Sequence, residues 1–208
     1  MRIAHADLVE RQCNIFHDQL TASTVQDLPI TTRPIAATDA AAVSDIHVAS
    51  WRDSYRGMLR DDYLDSAIAP ERLAVWTERL RNLAPFDFGF IAAAANRSLG
   101  FVFLRGADDP VWGTLLDNLH VLPGFKGQGI GRLLVEAGAR EAMNRHPRDR
   151  VYLWVFEQNS GARRFYRRLG GHEAERAVVD VPGGGAVAEW RVVWDNPERL
   201  LTAASINS

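Results

Sequence analysis

The chain is poor in the features that would commit it to a membrane, an oxidising compartment or a nucleic acid. Its 208 residues include one cysteine, Cys13, which rules out an internal disulfide and gives no sign of an oxidising compartment. No apolar run approaches the roughly 20 residues of a membrane span, and Asp7, Glu10 and Arg11 make the N-terminus too polar for a signal peptide. Lys and Arg number 24 against 26 Asp and Glu, a formal charge of −2. The basic excess of an electrostatic nucleic-acid binder is therefore missing. His5, His17, His47, His146 and His172 show no metal-ligand spacing, and neither a Ser-His-Asp nor a Cys-His nucleophile set is evident. The expectation is a cytoplasmic protein with no metal, no membrane and no nucleic-acid partner. A hydrophobic content of 47% is enough for a sizeable core in one domain with an extension.

What is present centres on Leu119 to Val135, LHVLPGFKGQGIGRLLV. An apolar strand ends at Pro123 and a glycine-rich turn leads into an amphipathic helix. Gly127, Gly129 and Gly131 let the backbone turn tightly and bring N–H groups toward an anion. The first N–H groups of the helix lack intrahelical partners, and its dipole places partial positive charge there, so a pyrophosphate is stabilised without a metal. Lys126 and Arg132 flank the turn with cationic charge. No Lys-Ser or Lys-Thr follows the glycines, which excludes a nucleoside-triphosphate loop, and the order GxGxG is not the GxGxxG of a dinucleotide fold.

A second block, VYLWVFEQNSGARRFYRRLGG from Val151, reads as an alternating strand, a polar turn at Gln158 to Gly161, a short helix and a Gly-Gly stop. Together the two blocks resemble the GNAT N-acetyltransferase superfamily. Its [RQ]xxGx[GA] pattern aligns with Lys126-Gly127-Gln128-Gly129-Ile130-Gly131, with lysine in place of the usual arginine or glutamine. Its downstream asparagine and tyrosine helix align with Asn159, Ala162, Phe165, Tyr166 and Leu169-Gly170-Gly171. The resemblance extends from about Ile30 to Trp194. His47 to Asp65 is similar to the first-helix region of a GNAT branch carrying Trp-x-x-x-Tyr-Arg-Gly, which borders the acceptor pocket in that fold.

The resemblance implies an α/β (α+β) fold with a mixed, mostly antiparallel central sheet flanked by helices, and a splayed strand pair that holds acetyl-CoA. It implies transfer of acetyl from acetyl-CoA to a primary amine by direct attack in a ternary complex. Cofactor contacts are expected from Leu119, His120 and Val121, from Lys126, Gly127, Gln128, Gly129, Ile130, Gly131 and Arg132, and from Asn159, Ala162 and Tyr166. Tyr166 is the expected acid, since a phenol with pKa about 10 is nearly matched to a departing thiolate. The base is open. Asp117, on the strand before the turn, is the candidate or else a solvated strand-edge carboxylate, placed by alternation on one face with Leu115, Leu119 and Val121, with Asn118 and His120 on the other; His120 titrates in the range of a base and is read first as a structural histidine. A glutamate that some relatives carry five positions before the asparagine is Trp154 here. Trp51 and Tyr55, one helical turn apart, either wall the acceptor pocket or pack the core.

The acceptor stays open between a small-molecule amine, which is preferred, and a peptide or protein amine, which would need an open groove between the first-helix region and the terminal hairpin. A non-catalytic CoA-binding module is a third reading, and Tyr166 argues against it. Along the chain, residues 1–28 read as an extension with a helical pattern in Leu8, Val9, Cys13, Phe16 and Leu20, and residues 29–208 as the catalytic domain. The apolar residues of the extension need a surface, either their own domain or a second copy in a homodimer, since such enzymes often pair. Strand one is expected over Ile30 to Ile35, a helix capped by Asp39 after it, and another from Pro70 to Leu83. Strands follow near Phe86 to Ala95, Leu99 to Arg105 and Trp112 to Leu122, then the helix from Gly129 to about His146. A hairpin through Pro182-Gly183-Gly184-Gly185 closes the sequence. Arg163, Arg164, Arg167 and Arg168 read as a solvated basic face, or as one partner of the CoA 3′-phosphate.

Overall fold

A computed structural model describes residues 29–206; the helical pattern read in residues 1–28 lies outside them. Seven strands form one sheet in the order β1-β2-β3-β4-β5-β7-β6. They are β1 (Thr31–Pro34), β2 (Asp87–Ala94), β3 (Arg97–Asp109), β4 (Gly113–Val121), β5 (Val151–Phe156), β6 (His172–Asp180) and β7 (Ala186–Trp194). Every neighbouring pair is antiparallel except β4 and β5. Those two run parallel and pair only at Thr114↔Val151 and Leu115↔Tyr152. Beyond Leu115 they diverge, opening a wedge in the middle of the sheet. This is the mixed, mostly antiparallel architecture expected from the sequence.

Helices α1 (Ala40–Ser54) and α2 (Ile68–Arg81) cover one face, while α3 (Ile130–Arg145) and α5 (Pro197–Ser205) cover the other. Helix α4 (Ser160–Arg168) follows β5 at the wedge. Alternation in the central strands divides the apolar residues between two cores. Val102, Leu104 and Leu116 meet Leu134 and Ala139 of α3, whereas Phe101 and Phe103 meet Trp76 of α2. The Trp76 ring stands edge-on to both phenylalanines, with centroids 5.1 and 5.4 Å away, the arrangement preferred by aromatic quadrupoles.

Several local expectations are corrected. Asp39 does not cap α1 with its side chain; it accepts from the Ala36 N–H at 2.8 Å and takes both arms of Arg33 at 2.7 Å. Arg33, on the preceding strand, offers a stronger, charge-assisted pair than the helix N–H groups do. The second helix starts before Pro70: a π turn over Tyr63–Ala67 leads directly into α2, and proline is tolerated because it falls in the first turn of α2. Alternation fails on β4. Phe103 pairs with Asn118 but Leu104 pairs with Leu116, leaving Asp117 as the extra residue of a bulge. Leu119 and Val121 pack toward α3 while Asp117 reaches Arg79 of α2, so Asp117 shares the face of His120 rather than that of Leu119. Helix α5, capped by Asn196 with proline following, was not anticipated, although Asn-Pro is a readable start signal.

Candidate active site

The wedge between β4 and β5 is a cleft of about 740 Å³. At one end the chain leaves β4, makes a 3₁₀ turn over Pro123–Phe125 and enters the glycine turn. Gly127 and Gly129 have φ of 80° and 81°, a left-handed conformation that costs L side chains steric strain and glycine little. A side chain at either would meet open space, so the constraint there is backbone conformation, not room. Gly129 is the N-cap of α3, and the unpaired N–H groups of that helix's first turn face the anion end of the cleft. Arg132 lines the same end with its Nη1 buried and unpartnered. A buried guanidinium nitrogen without an acceptor costs free energy unless an anion meets it. Turn and orphaned donor together fit the pyrophosphate of a CoA thioester.

Lys126 points elsewhere. Its Nζ donates to Asp53 Oδ2 at 2.7 Å and to Ser54 Oγ at 2.9 Å, tying the turn to the C-terminal end of α1. The side chain of Ile130 enters the core, and that of Gln128 folds back toward the Gly124 carbonyl at 3.4 Å; only the backbone of these two is directed to the turn. The other expected cofactor residues, Leu119, His120, Val121, Gly131, Asn159 and Ala162, all line the cleft. The Asn159 Oδ1 accepts from the Ala162 N–H at 3.0 Å and so caps α4, while its amide is turned to the Tyr55 phenol.

Helix α4 is pinned by Trp194 of β7, whose Nε1 donates to the Leu169 carbonyl at 2.7 Å. Its Tyr166 is nearly enclosed yet lines the cleft. Burial, then the neighbouring Tyr55, hold the Tyr166 phenol above its ordinary pKa, so it keeps its proton throughout the neutral range. Burial likewise pushes Tyr55 up to about 12, opposed by the Asn159 amide and assisted by Glu189. Trp51 and Tyr55 both line the cleft from α1 and meet edge to face at 5.4 Å. Of the basic run on α4, Arg163 is held by Glu173 at 2.7 and 3.0 Å and by the Glu157 carbonyl, which removes it as a phosphate partner. Arg168 lines the cleft.

Four groups escaped the sequence reading. Ser50 lies in the cleft, its Oγ 3.1 Å from His120 Nδ1; it stands three positions after His47 on the helix face that carries Trp51, a spacing that pointed to it. Trp154 and Phe156 alternate on β5 and add aromatic wall. Glu189 of β7, directly across from Phe156, is buried on the Tyr55 side, and burial raises its pKa. Asp117 is in the cleft lining, but its carboxylate accepts from Arg79 at 2.5 Å and from the Asn118 amide at 2.7 Å. Among the described residues no group of three or more metal-ligating side chains occurs, and no helix is long and apolar enough to cross a membrane.

The comparisons with known proteins agree with this geometry. The profile of the Acetyltransferase (GNAT) family matches residues 46–171. An uncharacterized N-acetyltransferase of Bacillus subtilis, YuaI, is 28% identical over 135 residues, 62% of this chain and 73% of that protein. Among solved structures, a GCN5-related N-acetyltransferase from Rhodopseudomonas palustris superposes with a TM-score of 0.63 at 23% identity, over 79% of this chain and 94% of its own. The PaiA N-acetyltransferase of Thermoplasma acidophilum, solved in complex with coenzyme A, gives 0.57 at 23% identity, over 78% and 98%. With a family match spanning both the wedge and the glycine turn, the chain belongs to the GNAT acetyltransferase family and is an acetyl-CoA-dependent N-acetyltransferase.

Proposed function

We propose that the acceptor is the primary amine of a small molecule. One observation carries this reading: the first-helix region and the terminal hairpin are packed on each other, and the hollow of about 350 Å³ left between them, lined by Gly57, Arg60, Val181 and Gly184, shares no residue with the lining of the cleft. Tyr63 and Leu64 share a buried cluster with Val181, and at Gly183 even a Cβ would lie 2.6 Å from that of Tyr63. A peptide chain would need that seam open. The walls that remain, Trp51, Tyr55, Trp154 and Phe156, suit the apolar body of a compact amine. Trp51, Tyr55, Arg56 and Gly57 are read as the signature of the branch with that first-helix sequence, and the φ of 78° at Gly57 supplies the turn after α1.

Acetyl-CoA supplies the activated acyl group, and the chain supplies placement and proton control. The turn from Gly127 to Arg132 holds the pyrophosphate. Past Leu115 the β4 backbone has no partner on the β5 side, so its polar groups there are available to the pantetheine arm and to the thioester oxygen. Tyr166 donates the proton to the leaving sulfur. Asp117, the expected base, is already paired with Arg79; in our reading it fixes that arginine against the β4 bulge. Residues 1–28 are read as an extension outside the catalytic unit, serving pairing of two copies or cover of the acceptor site. Deleting them should leave acetyl-CoA affinity intact while changing mass in light scattering or acceptor KM.

The test is CoA release followed across polyamines, aminoglycosides, amino acids and peptides. Turnover confined to small amines is the expected result. Turnover only with peptides would replace the reading.

A further inference from the structure

The contact between Ser50 and His120 joins residues 70 positions apart, and the reading above gives it no task. Ser50 is 5% exposed and His120 9%. Both line the cleft, as does Trp51. The imidazole is held at a fixed tilt: it stacks on His47 with centroids 4.4 Å apart and planes 28° apart, and lies 5.4 Å from Phe101. His47 is itself fixed by Trp76, whose Nε1 donates to its Nδ1 at 3.0 Å. A hydroxyl and an imidazole nitrogen at hydrogen-bond distance, with the imidazole oriented by further groups, is the arrangement that moves protons in acyl transfer.

We propose that the proton released by the attacking amine leaves through the Ser50 hydroxyl to Nδ1 of His120, and that filling of the glycine turn by the cofactor's pyrophosphate arms this path. The proposal rests on the small-amine reading. As the amine nitrogen bonds to the thioester carbon, its N–H proton passes to Ser50 Oγ while Ser50 passes its own to His120. The C–S bond then breaks, and the sulfur takes the Tyr166 proton. Product release lets His120 lose its proton and Tyr166 regain one through solvent, so that amine plus acetyl-CoA gives amide plus CoA with nothing left over.

Arming follows from the charges around the ring. From α1, His47 is neutral, its pKa lowered by burial and then by His120, Arg72 and Arg79. Arg79 of α2 is offset by Asp117, and β3 contributes only Phe101. Lys126, at the head of the glycine turn, is the charge that opposes a second one on His120 after burial itself, which together lower the imidazole to about 3. That lysine already pairs with Asp53 of α1 at 2.7 Å, and a pyrophosphate in the turn adds further negative charge at the same end of the cleft. His120 then becomes more basic once the cofactor is seated, and an empty site stays unreactive.

Two measurements test this. Histidine-selective NMR titration of the full chain, with and without CoA, should move the His120 pKa upward by about one unit or more on binding, the size of effect an opposite charge has nearby; no change or a downward shift would overturn the arming. This needs neither a substitution nor an acceptor, so it stands even if no small amine is acetylated and the function reading fails. With a working amine, His120→Asn should lower kcat by about 10²-fold, the lower end for a lost proton acceptor, abolish the acid limb of the kcat profile and leave the acetyl-CoA KM unchanged. Ser50→Ala should lower kcat less. A His120→Asn protein that binds CoA and keeps the wild-type profile would overturn the path. So would an acetyl adduct on Ser50 after incubation with acetyl-CoA alone, which would make that hydroxyl a nucleophile.

Discussion

The two ends of the cleft are built from different materials. The cofactor end is mainly backbone: a turn, two left-handed glycines and the start of α3, all within a few consecutive residues. The acceptor end is side chains drawn from α1, β4, β5 and α4, which meet only when the sheet has formed. Backbone N–H groups recognise a pyrophosphate common to every acyl-CoA, and a short contiguous segment suffices for that. Recognition of an amine and control of its protons need groups at particular points in space, and no single segment supplies them. The cofactor end should therefore fail through conformation and charge, and the acceptor end through loss of individual polar atoms.

The largest effect separating the two ends is expected at the turn. Gly129→Asp puts a carboxylate where the pyrophosphate belongs and strains a φ of 81°. Losing two charge-assisted hydrogen bonds at about 1.5–3 kcal/mol each weakens acetyl-CoA about 10²–10⁴-fold, read by calorimetric titration of a protein with unchanged circular dichroism. Gly131→Glu should act by charge alone, because a Cβ there meets only Phe165 at 3.6 Å, and its loss should be the smaller of the two. At the other end, Tyr166→Phe removes one oxygen. Turnover should fall about 10²–10⁴-fold with acetyl-CoA affinity retained, as single-turnover and binding measurements would show.

Acid sharpens the contrast in stability. His47 and His120 are buried neutral with lowered pKa values, so the unfolded chain binds protons that the folded one refuses. Their stabilisation is complete above the unfolded pKa of about 6.5 and is lost as pH falls below it. Each should cost about 2 kcal/mol between pH 6.5 and pH 5, seen as a lower urea midpoint at pH 5 than at pH 7. His120→Asn should flatten part of that slope. The smallest effect belongs to the tie between the ends. Lys126 and Asp53 are 42% and 46% exposed, and such pairs contribute about 0–1 kcal/mol. Asp53→Asn should leave thermal stability nearly unchanged, and a drop of many degrees would mean the tie holds the fold.

How much of this was legible follows the same division. The turn from Lys126 to Arg132 and the Asn159–Tyr166 block could be read because their residues are consecutive or one helical turn apart. The mixed sheet and its splayed strand pair followed from the same blocks through the family resemblance, and the hairpin from its own Pro182 to Gly185 turn signal. The bulge at Asp117 was not legible, because it arises from a mismatch of register with β3 that strict alternation on β4 cannot report. Nor were the contacts of Lys126 with Asp53 and Ser50 with His120, which span 73 and 70 positions. Asp39 and Asn159 show the intermediate case. Asp39 was read as N-cap chemistry and Asn159 as a cofactor contact; Asn159 caps α4, while a nearby arginine diverts Asp39.

The division itself is tested most directly by titrating acetyl-CoA into folded Gly129→Asp and Tyr166→Phe side by side and following CoA release from each with an acetylated amine. The account predicts that Gly129→Asp binds about 10²–10⁴-fold more weakly, and that Tyr166→Phe binds as the wild type does but scarcely turns over. Wild-type acetyl-CoA affinity in folded Gly129→Asp would contradict it.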